Sequence, residues 1–488
     1  MGRPHTFEQP SLPAQASGMV SPSFSELLTA AAQAERQLEE EGVLSLALPL
    51  GDPAAQQQLD PLTLLPRLGA GQRFRFLWDG APGLCLAATG ATNSLELSGP
   101  RRFELAQRFS AVSLSRLVSE PQGCPPLGRP RILLAFSFFD SPLQEGTGVP
   151  GVQAVLPRWQ LSRQGRHCWL RLQRTLGGAF TARAVAEELW EQARALEQPD
   201  ASSGIEPARQ RGPSIASRSR WEPGYRQAVQ RALELIEGGS LRKLVLAVRQ
   251  QLQLDRALDP LDLLGHLRVH QPGSCRFLWQ QRAGEALIGA SPERLLAVRQ
   301  GQLRSDALAG TAPLGEPAEG LTASVKDRHE HALVVETIAR VLAEAGLAPR
   351  RPRHPRLARH GQLVHLHTPI TAALGGQHPL ALAAALHPTP AVAGLPRREA
   401  MAWLRSLEVF ERGHYAAPIG WIDSAGDAEL RVAIRSGRLK GDQLELTAGA
   451  GLVRGSHPER ELQEVALKLG VLQQQLNLPL SPSANAPW

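Results

Sequence analysis

Of the 53 basic residues in this chain, only four are lysine: Lys243, Lys326, Lys440 and Lys468. Lysine can surrender its proton when desolvated, whereas arginine effectively cannot. Lys243 stands inside an apolar run, "LRKLVLAVRQ" (241–250). A lysine serving as a base near neutral pH needs its pKa lowered from about 10.4 by some three units, about 4 kcal/mol of preference for the neutral form. Burial in a strand of Leu and Val acts in that direction. A lysine whose head snorkels out of the sheet would be spelled the same way.

Three further patterns carry acids or small residues. In "ALIGASPERLL" (286–296), Ser-Pro sets Glu293 at a strand end, where a half-buried carboxyl can act as an acid; a solvent-facing turn glutamate would look alike. In "KDRHEH" (326–331), Asp327 and Lys326 share a helical face with Glu330. In "SHPERELQEVALKLG" (456–470), Ser456 is the expected N-cap, and Glu461, Glu464 and Lys468 share a face. Two converging helices of this kind suit Mg²⁺, which takes one or two carboxylates plus water and an anionic substrate. Exposed salt-bridged helices have the same sequence. The stretches "ALAGT" (307–311), "HPTPAVAG" (387–394) and "TAGAGLV" (447–453) are expected turns that bring backbone N–H groups close to an anion.

The elements that must position these groups divide in two. At 488 residues the chain is too long for one ordinary core. Residues 1–22 are expected to form a loose tail, 23–196 one half, 197–223 a linker rich in Ser, Pro, Gly and Arg, 224–476 a second half, and 477–488 a second tail. A helix is expected over 23–41, and strands at "VLSLALPL", "FRFLWD" and "RILLAFSFF". The stretch 73–95 resembles 274–295, both with Arg-Phe-Leu-Trp, a turn, an apolar strand and a Gly-Ala loop. In that alignment Ser94 falls opposite Glu293. The first copy then lacks the acid, and chemistry belongs to the second.

Bulk properties narrow the function. The net charge of +7 fits attraction of anions, but the densest basic patch, "RPRHPRLARH" (351–360), has no aromatic residue to stack on bases, so nucleic acid is not expected. Cys85, Cys124, Cys168 and Cys275 are far apart and are expected to be reduced thiols. No secretory signal or apolar membrane span is seen, so a cytoplasmic protein without membrane contact is expected.

In this order, "KLVLA", "GASPERLL", "ALAGT", "KDRHEH", "VHLHTP", "HPTPAVAG", "FERGHYAAPIGW", "AIRSG", "TAGAGLV" and "ERELQEVALKL" resemble the chorismate-utilising enzyme family over about 220–475. The resemblance implies an α+β fold, a duplicated sandwich of two face-to-face antiparallel sheets with helices outside (α/β/β/α). It is nearest to the members that make isochorismate. It implies Lys243 as the base activating water at C2 of chorismate and Glu293 as the acid at the C4 hydroxyl. Glu330 and Glu464 would bind Mg²⁺, with Asp327 and Glu461 as outer or water-mediated partners. Arg435, Lys468 and the backbone at Gly449 would grip the enolpyruvyl carboxylate, with Tyr415 beside it, while Gly310, Thr311, His365 and Ala391 would line the ring. The lysine at 243, where ammonia-using relatives carry an amide, implies water as nucleophile and no glutaminase subunit. A monomer or weak homodimer is expected. Salicylate synthases, which add pyruvate elimination, share the lysine and the acid and remain an alternative. More distant ones are an ammonia-using anthranilate or aminodeoxychorismate synthase and a basic anion-binding protein on an inactive version of the fold.

Overall fold

The structure, a computed structural model, describes residues 22–479 except 40, 52–58, 81–82, 120–123, 143–148, 177–180, 199–212 and 316–317. Its centre is the pair of Arg-Phe-Leu-Trp segments. Strand Arg75–Asp79 runs antiparallel to Cys275–Arg282, with Phe76 opposite Trp279, Leu77 opposite Leu278 and Trp78 opposite Phe277. The equivalent residues Leu77 and Leu278 therefore face each other on a local twofold axis, with each copy's Phe opposite the other's Trp, the arrangement a duplicated unit adopts when its two copies pair. A second pairing of the halves joins Arg131–Phe136 to Pro418–Asp423.

Two sheets grow outward from these pairings. One carries Val43–Leu50, His167–Thr175, Arg75–Asp79, Cys275–Arg282, Glu285–Ser291, Ser436–Lys440, Gln443–Val453 and Lys243–Leu254. The other carries Arg131–Phe136, Pro418–Asp423, Ala428–Val432, Arg294–Arg299, Gln302–Pro313 and Leu363–Ala373. Two long strands of the first half, Cys85–Leu97 and Val152–Gln164, pair along their whole lengths and belong to both sheets, so the hydrogen bonding is continuous through all strands. Phe76, Trp78, Phe277 and Trp279 of one sheet pack on Leu133, Ile419 and Trp421 of the other. The apolar alternation of the strands thus buries one shared aromatic layer. Helices cover the outer faces: Phe24–Glu35 and Ala182–Glu197 in the first half, and Glu222–Glu237, Val325–Glu344 and Pro458–Gln475 in the second. This is the expected helix-flanked sandwich.

Several elements differ from expectation. The first helix begins as expected, capped by Ser23 with Glu26 reaching back, but stops at Glu35. "ALAGT" and "TAGAGLV" are not turns; both lie within strands, Gln302–Pro313 and Gln443–Val453. Ser456 does not cap its helix. The N-cap is His457, and the Ser456 hydroxyl accepts from the Val453 N–H instead. Most of the expected linker and tails lie outside the described residues. The linker's described end is an edge strand, Ile215–Arg218, on the Lys243 strand, and the next helix opens at Glu222. All four cysteines are free thiols, three of them buried. Among the described residues, no helix is long and apolar enough to cross a membrane.

Candidate active site

The halves diverge where the cavity opens. From Gln160 to Glu197 the first half runs strand, turn, strand and helix; Ser436 to Gln473 repeats it in register, with Gln164 opposite His167 and Lys440 opposite Gln443 across the two turns. By this correspondence Thr447 and Gly449 stand where the first half has Arg171 and Gln173. Those two side chains are buried and hydrogen-bonded, Arg171 to Ser45 and Gly128, and Gln173 to Pro157. They fill the space that Thr447 and Gly449 leave open. Helix positions Val185 and Gln192 likewise become Glu461 and Lys468.

A second difference supplies the acid. The first-half strands Cys85–Leu97 and Val152–Gln164 pair without a break in strand. Their counterparts are split into Glu285–Ser291 with Arg294–Arg299, and Ala428–Val432 with Ser436–Lys440. The registers make Gly90 equivalent to Ser291 and Ala91 to Arg294, so Pro292 and Glu293 are extra residues. Ser94 is not the counterpart of Glu293. The split opposite it carries Ile434 and Arg435, and all four residues line the cavity.

The cavity, about 780 Å³ including its mouth, is lined by Glu293, Gly310, Thr311, Glu330, His365, Ala391, Tyr415, Arg435, Gly449, Glu464 and Lys468 among others. Eleven of the fourteen expected site residues thus meet in one place. Lys243, Asp327 and Glu461 do not reach its wall. Lys243 is fully buried at the start of its strand, with Nζ 2.9 Å from Glu330 Oε1, and has no well-directed hydrogen-bond acceptor. Glu461 is buried 2.7 Å from Lys326 Nζ. Asp327 packs under Gly310.

Burial sets the electrostatics. Glu293 is 4% exposed, and desolvation, opposed by Lys243, pushes its carboxyl up to about 8. Its backbone is held by the Ser291 hydroxyl, which accepts from the Glu293 N–H and donates to Val432 O at 2.6 Å. Burial works against the charge of Glu330, but Lys243 and Lys326 outweigh it and hold that carboxyl below its ordinary value. Glu464 pairs with Lys468 at 2.7 Å, and Lys468 also donates to Gly449 O at 2.8 Å. Three of the four lysines therefore pair with Glu330, Glu461 and Glu464 on the two helices. Burial lowers Arg435 to about 10 and takes His365 well below its ordinary range. His365 Nδ1 lies 3.1 Å from Gly310 O, which can only accept, so Nδ1 carries the proton; bare Nε2 then faces Arg435 Nη2 at 3.4 Å.

Glycines make the room. Gly310 sits in a β-bulge at φ +74°, and a Cβ there would come 3.3 Å from the Cβ of Asp327. A Cβ on Gly451 would come 2.2 Å from Glu330 Oε1 and 3.2 Å from Lys243 Cε. Gly451 was not among the expected site residues, although its place in "TAGAGLV" signalled a close approach. Among the described residues, no three His, Cys, Asp or Glu side chains gather into a ready-made metal cage. Glu330 and Glu464, on separate helices, both present oxygen to the cavity.

Residues 29–477 match the family model described as chorismate binding enzyme. The chain is 33% identical over 441 residues to the salicylate biosynthesis isochorismate synthase of Pseudomonas aeruginosa, covering 87% of this chain and 90% of that one. It is 37% identical over 256 residues to isochorismate synthase EntC of Escherichia coli, covering 51% and 66%. The solved structure of MenF, the menaquinone-specific isochorismate synthase from Escherichia coli, is similar at TM-score 0.72 and 26% identity, over 92% of this chain and 99% of that one.

Proposed function

Because the chain belongs to the chorismate binding enzyme family, we propose that it is an isochorismate synthase, converting chorismate to isochorismate. The observation that carries the reading is Glu293: a buried carboxyl held protonated near neutral pH, in a cavity walled by Arg435 and Lys468. Hydroxide is a poor leaving group, and a carboxylic acid neutral at pH 7 can protonate it as it departs.

In the proposed reaction, water adds at C2 and its proton passes to Lys243. The ring double bonds shift, and the C4 hydroxyl leaves as water with the proton of Glu293. One water enters and one leaves, so substrate and product are isomers. Return of the proton from Lys243 to Glu293 restores the starting state. Lys243 sits behind Glu330 and is paired with it, so to take a proton from water its amine has first to give up its own proton and turn from that carboxylate to the cavity. Arg435 and Lys468 hold the enolpyruvyl carboxylate beside Gly449 and Tyr415. Neutral His365, with Gly310, Thr311 and Ala391, borders the ring and keeps Arg435 oriented.

Glu330 and Glu464 are the residues that would hold Mg²⁺, an all-oxygen pair that fits its preference for few carboxylates, water and a substrate anion. When bound, the ion supplies positive charge to neutralise the ring carboxylate. Asp327 and Glu461, outside the cavity wall, fit only outer positions. Incubation of pure protein with chorismate and Mg²⁺, followed by chromatography, should yield isochorismate. Salicylate and pyruvate as main products would replace this reading with a lyase, and unchanged chorismate would refute it.

A further inference from the structure

One buried ion pair ties the Lys243 strand to its neighbours and does not line the cavity described above. Glu408 follows helix Arg397–Leu407, and Arg412 lies four residues further on in the loop; their side chains are 2% and 0% exposed. Glu408 Oε2 accepts from Arg412 Nε at 2.7 Å. Its Oε1 accepts from Arg412 Nη2 at 2.5 Å and from the Ala247 N–H at 2.9 Å. The guanidinium also donates to Val245 O and Val392 O, both at 2.7 Å. Val245 and Val392 line the cavity, and Tyr415 follows Arg412 by three residues.

The same loop borders the Lys243 strand directly. Leu395 pairs with Lys243, and Val245 N–H donates to Ala393 O at 2.7 Å. The first half enters here as well. Phe138 lies under the guanidinium at 4.2 Å, its N–H donates to Gly413 O at 2.7 Å, and its carbonyl accepts from His387 Nε2 at 3.1 Å. Three segments that carry cavity residues are thus tied to one guanidinium resting on a ring of the other half.

A fully buried ion pair is weak evidence of stabilisation, because desolvating both charges offsets their attraction. What this pair provides is direction: each partner serves backbone groups that an apolar pair would leave unmet. We propose that Glu408 and Arg412, seated on Phe138, are positioning residues that fix the Lys243 strand against the loop 387–396 and so aim the Lys243 amine. The inference rests on the role proposed for Lys243. It assigns the otherwise non-catalytic half a part in the site.

The test uses Arg412→Met combined with Glu408→Leu, which preserves bulk, and Glu408→Gln, which keeps an acceptor for Ala247. With four lysines in the chain, a ¹³Cε-lysine spectrum gives four assignable signals. In both variants the Lys243 signal should shift or broaden, while those of Lys326, Lys440 and Lys468 hold. The chorismate kcat should fall at least tenfold with KM within about threefold, since Arg435 and Lys468 stand on other elements. An unmoved Lys243 signal, or a wild-type kcat in the well-folded double variant, overturns the proposal. A shifted Lys243 signal in a protein whose wild type leaves chorismate unchanged would uphold the positioning and refute the enzymatic reading instead. If the double variant does not fold, Glu408→Gln decides by the same two readouts.

Discussion

Burial in apolar surroundings makes an acid of Glu293, and the consequence can be followed in pH. Its folded-state value, about 8, lies above the ordinary 4.5. Folding therefore favours the protonated form, and that contribution, complete below about pH 4.5, is lost as pH rises through 8. At about 1.4 kcal/mol per unit, the loss amounts to a few kcal/mol at most. Glu293→Gln keeps the neutral shape, so between about pH 5 and 8 its melting temperature should fall less than the wild type's; parallel curves would mean that Glu293 is not a buried acid. The same variant should lose turnover by a factor of 10² or more, because an amide cannot supply the proton. Lys243→Arg should abolish turnover, whereas Lys440→Arg should leave it unchanged, since Lys440 is exposed on a strand turn. Rates for the pair, measured side by side, test whether an exchangeable amine proton is needed at 243. The motifs disclosed residue types well here. They did not disclose that Lys243 lies outside the cavity wall, because its partner Glu330 is 87 positions away in sequence.

At the scale of elements, the active half differs from its copy by small openings. Two extra residues split one strand at Glu293, a matching split holds Arg435, and Thr447 and Gly449 replace a buried Arg and Gln. The strands around the splits were legible from their apolar runs. The splits were not, because "ASPER" reads as a turn ending a strand and says nothing of the strand that resumes on the other sheet. "ALAGT" and "TAGAGLV" misled for a related reason: small residues suggest turns, but in these strands they make room for neighbours. Gly451→Ala should show it. Its Cβ would collide with Glu330 Oε1, so turnover should drop at least tenfold with the melting temperature little changed. Full activity would mean that Glu330 moves aside freely.

Over the whole molecule, the aromatic layer at the twofold axis is common property. Phe76, Trp78, Phe277 and Trp279 bury one another between the sheets, so neither half has a complete core. Urea unfolding followed by tryptophan fluorescence and by far-UV circular dichroism should give one coincident transition, and Trp279→Ala should cost about 3–5 kcal/mol of it. Two separated transitions would show that the halves fold independently.

The residue inventory, the duplication and the order of motifs follow from the sequence alone, because local patterning and repeat spacing are written along the chain. Which lysine faces which glutamate, how a strand split admits an acid, and how Arg412 reaches three walls were decided only by tertiary structure. Apart from Glu464 with Lys468, four residues apart on one helix, those contacts join positions tens to hundreds of residues apart, and desolvation, which sets the protonation of Glu293, exists only once those neighbours are in place.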